Sequence, residues 1–339
     1  MSKIINNIRF DPELSRGAYN AINVCLGLKP EERITVITDE ESIEITAALI
    51  NEVEKIGSNY RLFILEETAN RPLKRMPEII LNDLQKSQLS ILAVIPQINE
   101  LGSRIQVMSV VDKNKIRHAH MVNISKQIML EGMRADFIEV DRLCEKLIKK
   151  ALSIKIIRAV SKRGTEITAE FSPSLKWIKS SGLVSSDKWS NLPGGEIYTV
   201  PYNINGRFVA DGVVGDYLCG KYGDLKENPL IIDIDNSRIK KIFCENEELL
   251  EEFASYTMTD ANSNRAGEFG IGANTSIKNI IGQILQDEKM PGIHIAFGNP
   301  DAEHTGADWT SSTHIDCVGR DFDIWMDNEK IMEKGTFLI

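Results

Sequence analysis

Between residues 33 and 124, short β-branched or apolar runs alternate with helix-patterned segments, and no other feature restricts the fold as much. Residues 33–38 (R-I-T-V-I-T), 60–65, 89–96 and 117–124 read as strands. A helix is expected from the acidic cluster Asp39-Glu40-Glu41 to about Lys55, ending at Gly57, and another over 76–86. Residues 13–28 carry apolar positions at helical spacing ahead of a Lys29-Pro30 stop. Strands alternating with helices imply βαβ units around a mainly parallel sheet. The first strand runs into Thr38-Asp39-Glu40-Glu41, where a nucleotide cradle needs glycines and bare amides, so a dinucleotide site is not expected. This half therefore reads as an α/β support or substrate-gating domain.

A helical pattern over 127–162 leads to Arg163-Gly164, which sets a domain boundary: 1–163 as the α/β domain, 164–339 as an α+β metal-binding domain. Downstream the pattern changes to short strands and turns at 165–171, 196–201, 206–214, 230–234, 240–244, 292–297 and 313–318. Helices are expected at 246–256 and 277–285, and the chain closes with an apolar run at 322–326, a turn at 327–329 and a last segment at 335–339.

A net charge of −9 disfavours nucleic acid as a partner, since phosphate binding wants a positive surface. No apolar run approaches the roughly 20 residues that cross a bilayer, so no membrane partner is expected. Residues 1–12 lack the apolar core of a signal peptide. Five scattered cysteines without CxxC spacing (Cys25, Cys144, Cys219, Cys244, Cys317) fit reduced thiols, and a cytoplasmic chain is expected.

The candidate chemistry lies between Gly267 and Asp316. Three of the five histidines (His294, His304, His314) fall there, beside Glu268 in the glycine turn Gly267-Glu268-Phe269-Gly270-Ile271-Gly272 and Glu288 in Asp287-Glu288-Lys289. On a strand, His314 and Asp316 share a face and can meet one ion. An unpaired carboxylate in an apolar setting costs several kcal/mol, so Glu268 needs a cation. The bland alternatives are a hydrogen-bonded core histidine at 294 and a solvated charge triplet at 287–289. Five ligands of mixed N and O type, with no thiolate, exceed what one structural zinc uses. They suit two divalent ions, with Zn, Mn, Co or Fe all open, activating a water for hydrolysis of a peptide or amide beside a free N-terminus.

These motifs resemble the metal-dependent aminopeptidases of the aminopeptidase T and aminopeptidase S type. The likeness rests on Asn191-Leu192-Pro193-Gly194-Gly195-Glu196-Ile197-Tyr198-Thr199-Val200-Pro201, Gly267-Glu268, Asp287-Glu288, the segment from His294 through Ile295, Ala296 and Phe297 to Gly298, and His314-Ile315-Asp316, all in the family's order. It implies two divalent ions (Zn, Mn or Co) held by Glu268, Glu288, His294, His314 and Asp316, catalytic roles for Glu268 and Glu288, and a homodimer acting on small peptides or related amides. Glu196 would join the catalytic group by facing the substrate, or else would stabilise its turn. The family's tyrosine beyond the first histidine is absent from the loop at 299–304, where Asp301 or His304 could serve.

A second likeness is to the 2,5-dihydroxypyridine dioxygenases, which resemble the chain in the closing H-x-D and in Asp323-Ile324-Trp325-Met326-Asp327, with a histidine about where Glu268 stands. It implies a single Fe(II) in a facial triad, drawn here from His294, His314 and Asp316. A catalytically degenerate metal-binding paralogue is the third reading. Elsewhere His118 and His120 read as strand-end residues, Lys146, Lys149, Lys150, Lys155 and Arg158 as a solvated face, and Trp177 and Trp189 as packing. The five cysteines read as core residues, with Cys317, beside Asp316, close enough to the proposed site to be oxidised.

Overall fold

The computed structural model describes residues 8–187 and 189–339. Its contacts divide the chain into two compact units, Met1–Ile138 with Gly182–Gly194, and Glu139–Ser181 with Gly195–Ile339. The division falls at residue 138, and the first unit takes back a short later segment. Residue 163 lies in a turn between two strands of the second unit.

In chain order the strands are β1 (Arg33–Thr38), β2 (Asn59–Ile64), β3 (Leu89–Val94), β4 (Arg117–Val122), β5 (Ile156–Ser161), β6 (Glu166–Glu170), β7 (Ile178–Ser180) and β8 (Ser190–Asn191). They continue with β9 (Glu196–Thr199), β10 (Asn203–Ala210), β11 (Leu230–Asp235), β12 (Arg238–Phe243) and β13 (Ala266–Gly272). The last five are β14 (Gly292–Gly298), β15 (His314–Val318), β16 (Phe322–Met326), β17 (Glu329–Glu333) and β18 (Thr336–Phe337).

The first unit holds a parallel sheet in the order β2-β1-β3-β4-β8. Its strands are short apolar runs because helices cover them. The helix Ile43–Ile56 buries Ile45, Leu49 and Val53, a four-residue spacing that keeps one stripe inward. The helix Leu101–Asn114 has no counterpart in the sequence reading. Leu101 and Ile105 are exposed, and only Ser103, Val107 and Val111 turn inward, so its apolar signal is split between two faces. At the carboxyl end of β1, Asp39 is buried and accepts hydrogen bonds from Arg71 Nη1 at 3.0 Å and from the Ile95 amide at 2.6 Å. Arg71 also pairs with Glu66 and Glu100. Open parallel sheets place ligands at this end of their strands; here a buried ion network occupies it.

The second unit has two antiparallel sheets, one ordered β12-β11-β10-β6-β5-β16-β17-β18 and the other β15-β14-β13-β9-β7. Three sequence expectations change. The helix over 127–162 is two helices, Lys126–Leu130 and Phe137–Ala151, followed by β5, because Ile157 and Ala159 alternate inward with Ile156 and Arg158 outward. Residues 267–272 are not a turn but the strand β13. The helix expected over 277–285 shrinks to Ile284–Asp287.

Candidate metal centre

Strand pairing settles which side chains meet. Glu268 lies opposite Ala296, and Ala296 opposite Asp316. Gly270 lies opposite both His294 and Tyr198, and Gly272 opposite Glu196. Gly298 pairs with His314. Side chains alternate across a sheet, so Glu196, Tyr198, Glu268, His294, His314 and Asp316 all project from one face. The other face carries Ile197, Phe269, Ile271, Ile295, Phe297 and Cys317, all buried. One period-two pattern thus builds a core on one side and gathers acids and imidazoles on the other.

Glycines make this polar face possible. A Cβ on Gly270 would stand 1.9 Å from His294 Nε2, so the imidazole lies directly over the bare backbone there. Glycine inside a strand is tolerated where another group must approach this closely, which is why a sequence resembling a turn forms a strand.

Glu196, Glu268 and His294 each offer a ligand atom within 4.8 Å of the others, a spacing that one cation can bridge. His294 Nε2 stands 3.1 Å from Glu268 Oε1 and 3.5 Å from Glu196 Oε2. Glu196 Oε2 is buried without a hydrogen-bond partner, as is His294 Nδ1. Buried polar atoms are normally satisfied, so a carboxylate oxygen left bare beside an imidazole and a second carboxylate suits a ligand to a cation. The donors are nitrogen and oxygen only, the set preferred by divalent first-row metals over soft ions.

From β15, His314 Nε2 approaches Asp316 Oδ2 at 3.3 Å, and Nδ1 meets the Asn299 carbonyl at 2.9 Å. Burial and the nearby Asp316 charge push the Glu268 carboxyl up, against the hydrogen bond from His294. Burial acts against the charged form of His294, yet Glu268 and Glu196 carry it up to about 9. His314, whose side chain is 38% exposed, also rises, its partial desolvation outweighed chiefly by Asp316. Asp316 falls below the usual carboxylate range because His314 and His294 outweigh its burial. Without a metal, protons on imidazoles offset the carboxylates; a bound cation would displace them.

Glu288 is placed differently from the three-residue cluster. It follows the short helix Ile284–Asp287, and its Oε1 accepts a hydrogen bond from Lys289 Nζ at 2.5 Å. Lys289 also donates to Glu196 Oε1 at 2.6 Å and is 1% exposed, so it is no solvated charge. The neighbouring Asp287 accepts from the amides of Ile281 and Gln283. The sequence concealed this lysine, because a run of three charges reads as surface.

The loop after β14 has no tyrosine, but β9 supplies one. Tyr198 donates to Asp301 Oδ2 at 2.8 Å, and Asp301 Oδ1 faces His304 Nδ1 at 2.8 Å. Burial, with the charges of Glu268 and Asp301, holds the Tyr198 phenol far above its usual range and hence protonated. Cys317 is fully buried on the apolar face, where burial pushes its thiol up, so the expected ease of oxidation is corrected. Trp177 packs 5.0 Å from the Phe171 ring.

The family model for NicX, 2,5-dihydroxypyridine 5,6-dioxygenase, matches residues 19–339. The chain belongs to this family. The fold agrees with two solved structures. One is 2,5-dihydroxypyridine dioxygenase from Pseudomonas putida KT2440, at TM-score 0.67 and 14% identity, covering 96% of each chain. The other is wild-type AmpT from Thermus thermophilus, at TM-score 0.71 and 13% identity, covering 98% of this chain and all of that one. None of the curated proteins matches the sequence. The matching family is one of enzymes. Among the described residues no helix is long and apolar enough to cross a membrane.

Proposed function

We propose that this chain is a mononuclear Fe(II) dioxygenase that opens the ring of a dihydroxylated pyridine. The observation that carries this reading is the family match across residues 19–339. A face bearing one cation-sized cluster of nitrogen and oxygen donors is consistent with it. Glu268 and His294 would hold the ion from β13 and β14, with His314 and Asp316 completing the set from β15. Glu196 would present its free Oε2 to the same centre. A ferrous ion bound there supplies the redox chemistry that dioxygen needs to react with a closed-shell ring.

The chain's own groups then have defined tasks. Tyr198 stays a neutral donor, oriented through Asp301, and can fix a ring oxygen by hydrogen bonding. His314 is anchored through its Nδ1 by the Asn299 carbonyl, which leaves Nε2 directed toward Asp316. The apolar face beneath, from Phe269 to Phe297, keeps the strands rigid under these groups.

Aminopeptidase-like hydrolysis is the second reading, favoured by the fold it shares with AmpT. Anaerobic loading with Fe(II), then addition of 2,5-dihydroxypyridine and oxygen, separates them. The expected result is one oxygen molecule consumed for each pyridine lost. Release of amino acids from a dipeptide with Zn, Mn or Co, and no oxygen uptake with the pyridine, would overturn the oxygenase.

A further inference from the structure

Among the described residues Lys289 is a buried cation paired with carboxylates of the acidic face, and the proposed reaction gives it no task. Its ammonium lies between Glu196 Oε1 at 2.6 Å and Glu288 Oε1 at 2.5 Å. The backbone brings it there deliberately. The Asn274 amide, just past the end of β13, donates to the Lys289 carbonyl at 2.9 Å. A Cβ on Gly272 would stand 2.0 Å from the Met290 carbonyl oxygen, so only glycine lets this segment cross the strand beside Glu196.

We propose that the Lys289 ammonium stands where a two-ion centre would hold its second cation, so that this site binds one divalent ion and Glu288 is not a ligand. The inference takes from the reading above only that the cluster of Glu196, Glu268 and His294 holds a metal ion. A buried ammonium is costly unless paired, and two buried carboxylates on either side satisfy it. The same carboxylates would be the natural ligands of a second ion, and a resident positive charge both occupies the space and repels that ion. Only Glu196 is shared: one oxygen is taken by Lys289, and the other, Oε2, is bare and lies 3.5 Å from His294 Nε2. Lys289 is thereby also a positioning residue, fixing which way the Glu196 carboxylate turns.

Titration of the metal-free full chain with Mn(II), followed by metal analysis and electron paramagnetic resonance, tests this without reference to turnover. The wild type is expected to take one equivalent with the hyperfine-split signal of an isolated ion. Glu288→Gln should keep that equivalent, its affinity lowered by no more than about tenfold, the lower end of outer-shell effects. Lys289→Ala, if folded, should admit a second equivalent with an exchange-coupled signal. Two equivalents in the wild type, loss of an equivalent in Glu288→Gln, or a folded Lys289→Ala still limited to one would each overturn the proposal. Wild type that takes one Mn(II) yet cleaves no dihydroxypyridine would defeat the proposed reaction and leave this inference standing.

Discussion

Two histidine regions in this protein share a spacing and differ in nearly everything else. On β4, His118 and His120 sit two apart, their rings joined by a 3.3 Å contact between His118 Nε2 and His120 Nδ1. On β15, His314 sits two before Asp316 and shares its face with His294 of the neighbouring strand. The neighbours of the first pair are the Ser90 hydroxyl, 2.8 Å from His118 Nδ1, and the Trp189 ring, 5.5 Å from His120. Burial pushes His118 well below its ordinary range, and burial with the Arg104 charge takes His120 down to about 4. His294 moves the opposite way because Glu268 and Glu196 overcome its burial, and the partly exposed His314 does so chiefly through Asp316. Burial alone makes histidine a neutral core residue; burial among carboxylates makes it a proton or metal holder.

The largest expected effect tests that contrast directly. Glu268→Gln and His294→Ala should each weaken Mn(II) binding by more than about 100-fold, beyond what outer-shell changes cost. His120→Ala should leave it unchanged, with calorimetric titration as the measurement. Loss of metal in His120→Ala would erase the distinction between the regions.

A smaller effect is expected from Gly270→Ala. Its methyl group must displace the His294 ring, so metal affinity should fall about 10-fold or more. Overpacking should cost about 1–3 kcal/mol in urea unfolding. An unchanged affinity would mean that the ring position over the bare strand does not matter.

The smallest effect concerns pH and the β4 pair. His120 titrates at about 4 when folded, against an ordinary 6.5. Between those values the unfolded chain binds more protons, so this residue's contribution is intact above 6.5 and declines as pH falls toward 4. Unfolding free energy followed from pH 7 to 4 should therefore fall less steeply in His120→Gln than in the wild type. Equal slopes would remove the claim that this ring is held neutral.

Much of the scaffold could be read from local pattern. The bounds expected for β1 coincide with those observed, and the apolar run at 322–326 is the strand β16, because β-branched and apolar runs bounded by acidic turns carry their own signal. The helix Leu101–Asn114 could not be read, since its exposed Leu101 and Ile105 break the amphipathic stripe. Glu268, His294 and Glu196 could be singled out as acids and imidazoles among glycines, and the structure brings those three within reach of one ion. The hydroxyl on Tyr198 could not be connected to Asp301, 103 residues away, by any local rule.

The two-residue period of a strand by itself assigns His314 and Asp316 to one face, because alternation is a property of the extended backbone, whereas Glu268, in a segment that reads as a turn, joined that face only in the fold. Strand order and register decided which of those faces adjoin. Only the crossing of the 289–290 segment over Gly272 decided that a lysine, not open space, lies between Glu196 and Glu288. Charge compensation acts over a few ångströms in space and is blind to distance along the chain. That is why Asp287 turns to the amides of Ile281 and Gln283, while its neighbours Glu288 and Lys289 pair with each other and, through the lysine, with Glu196.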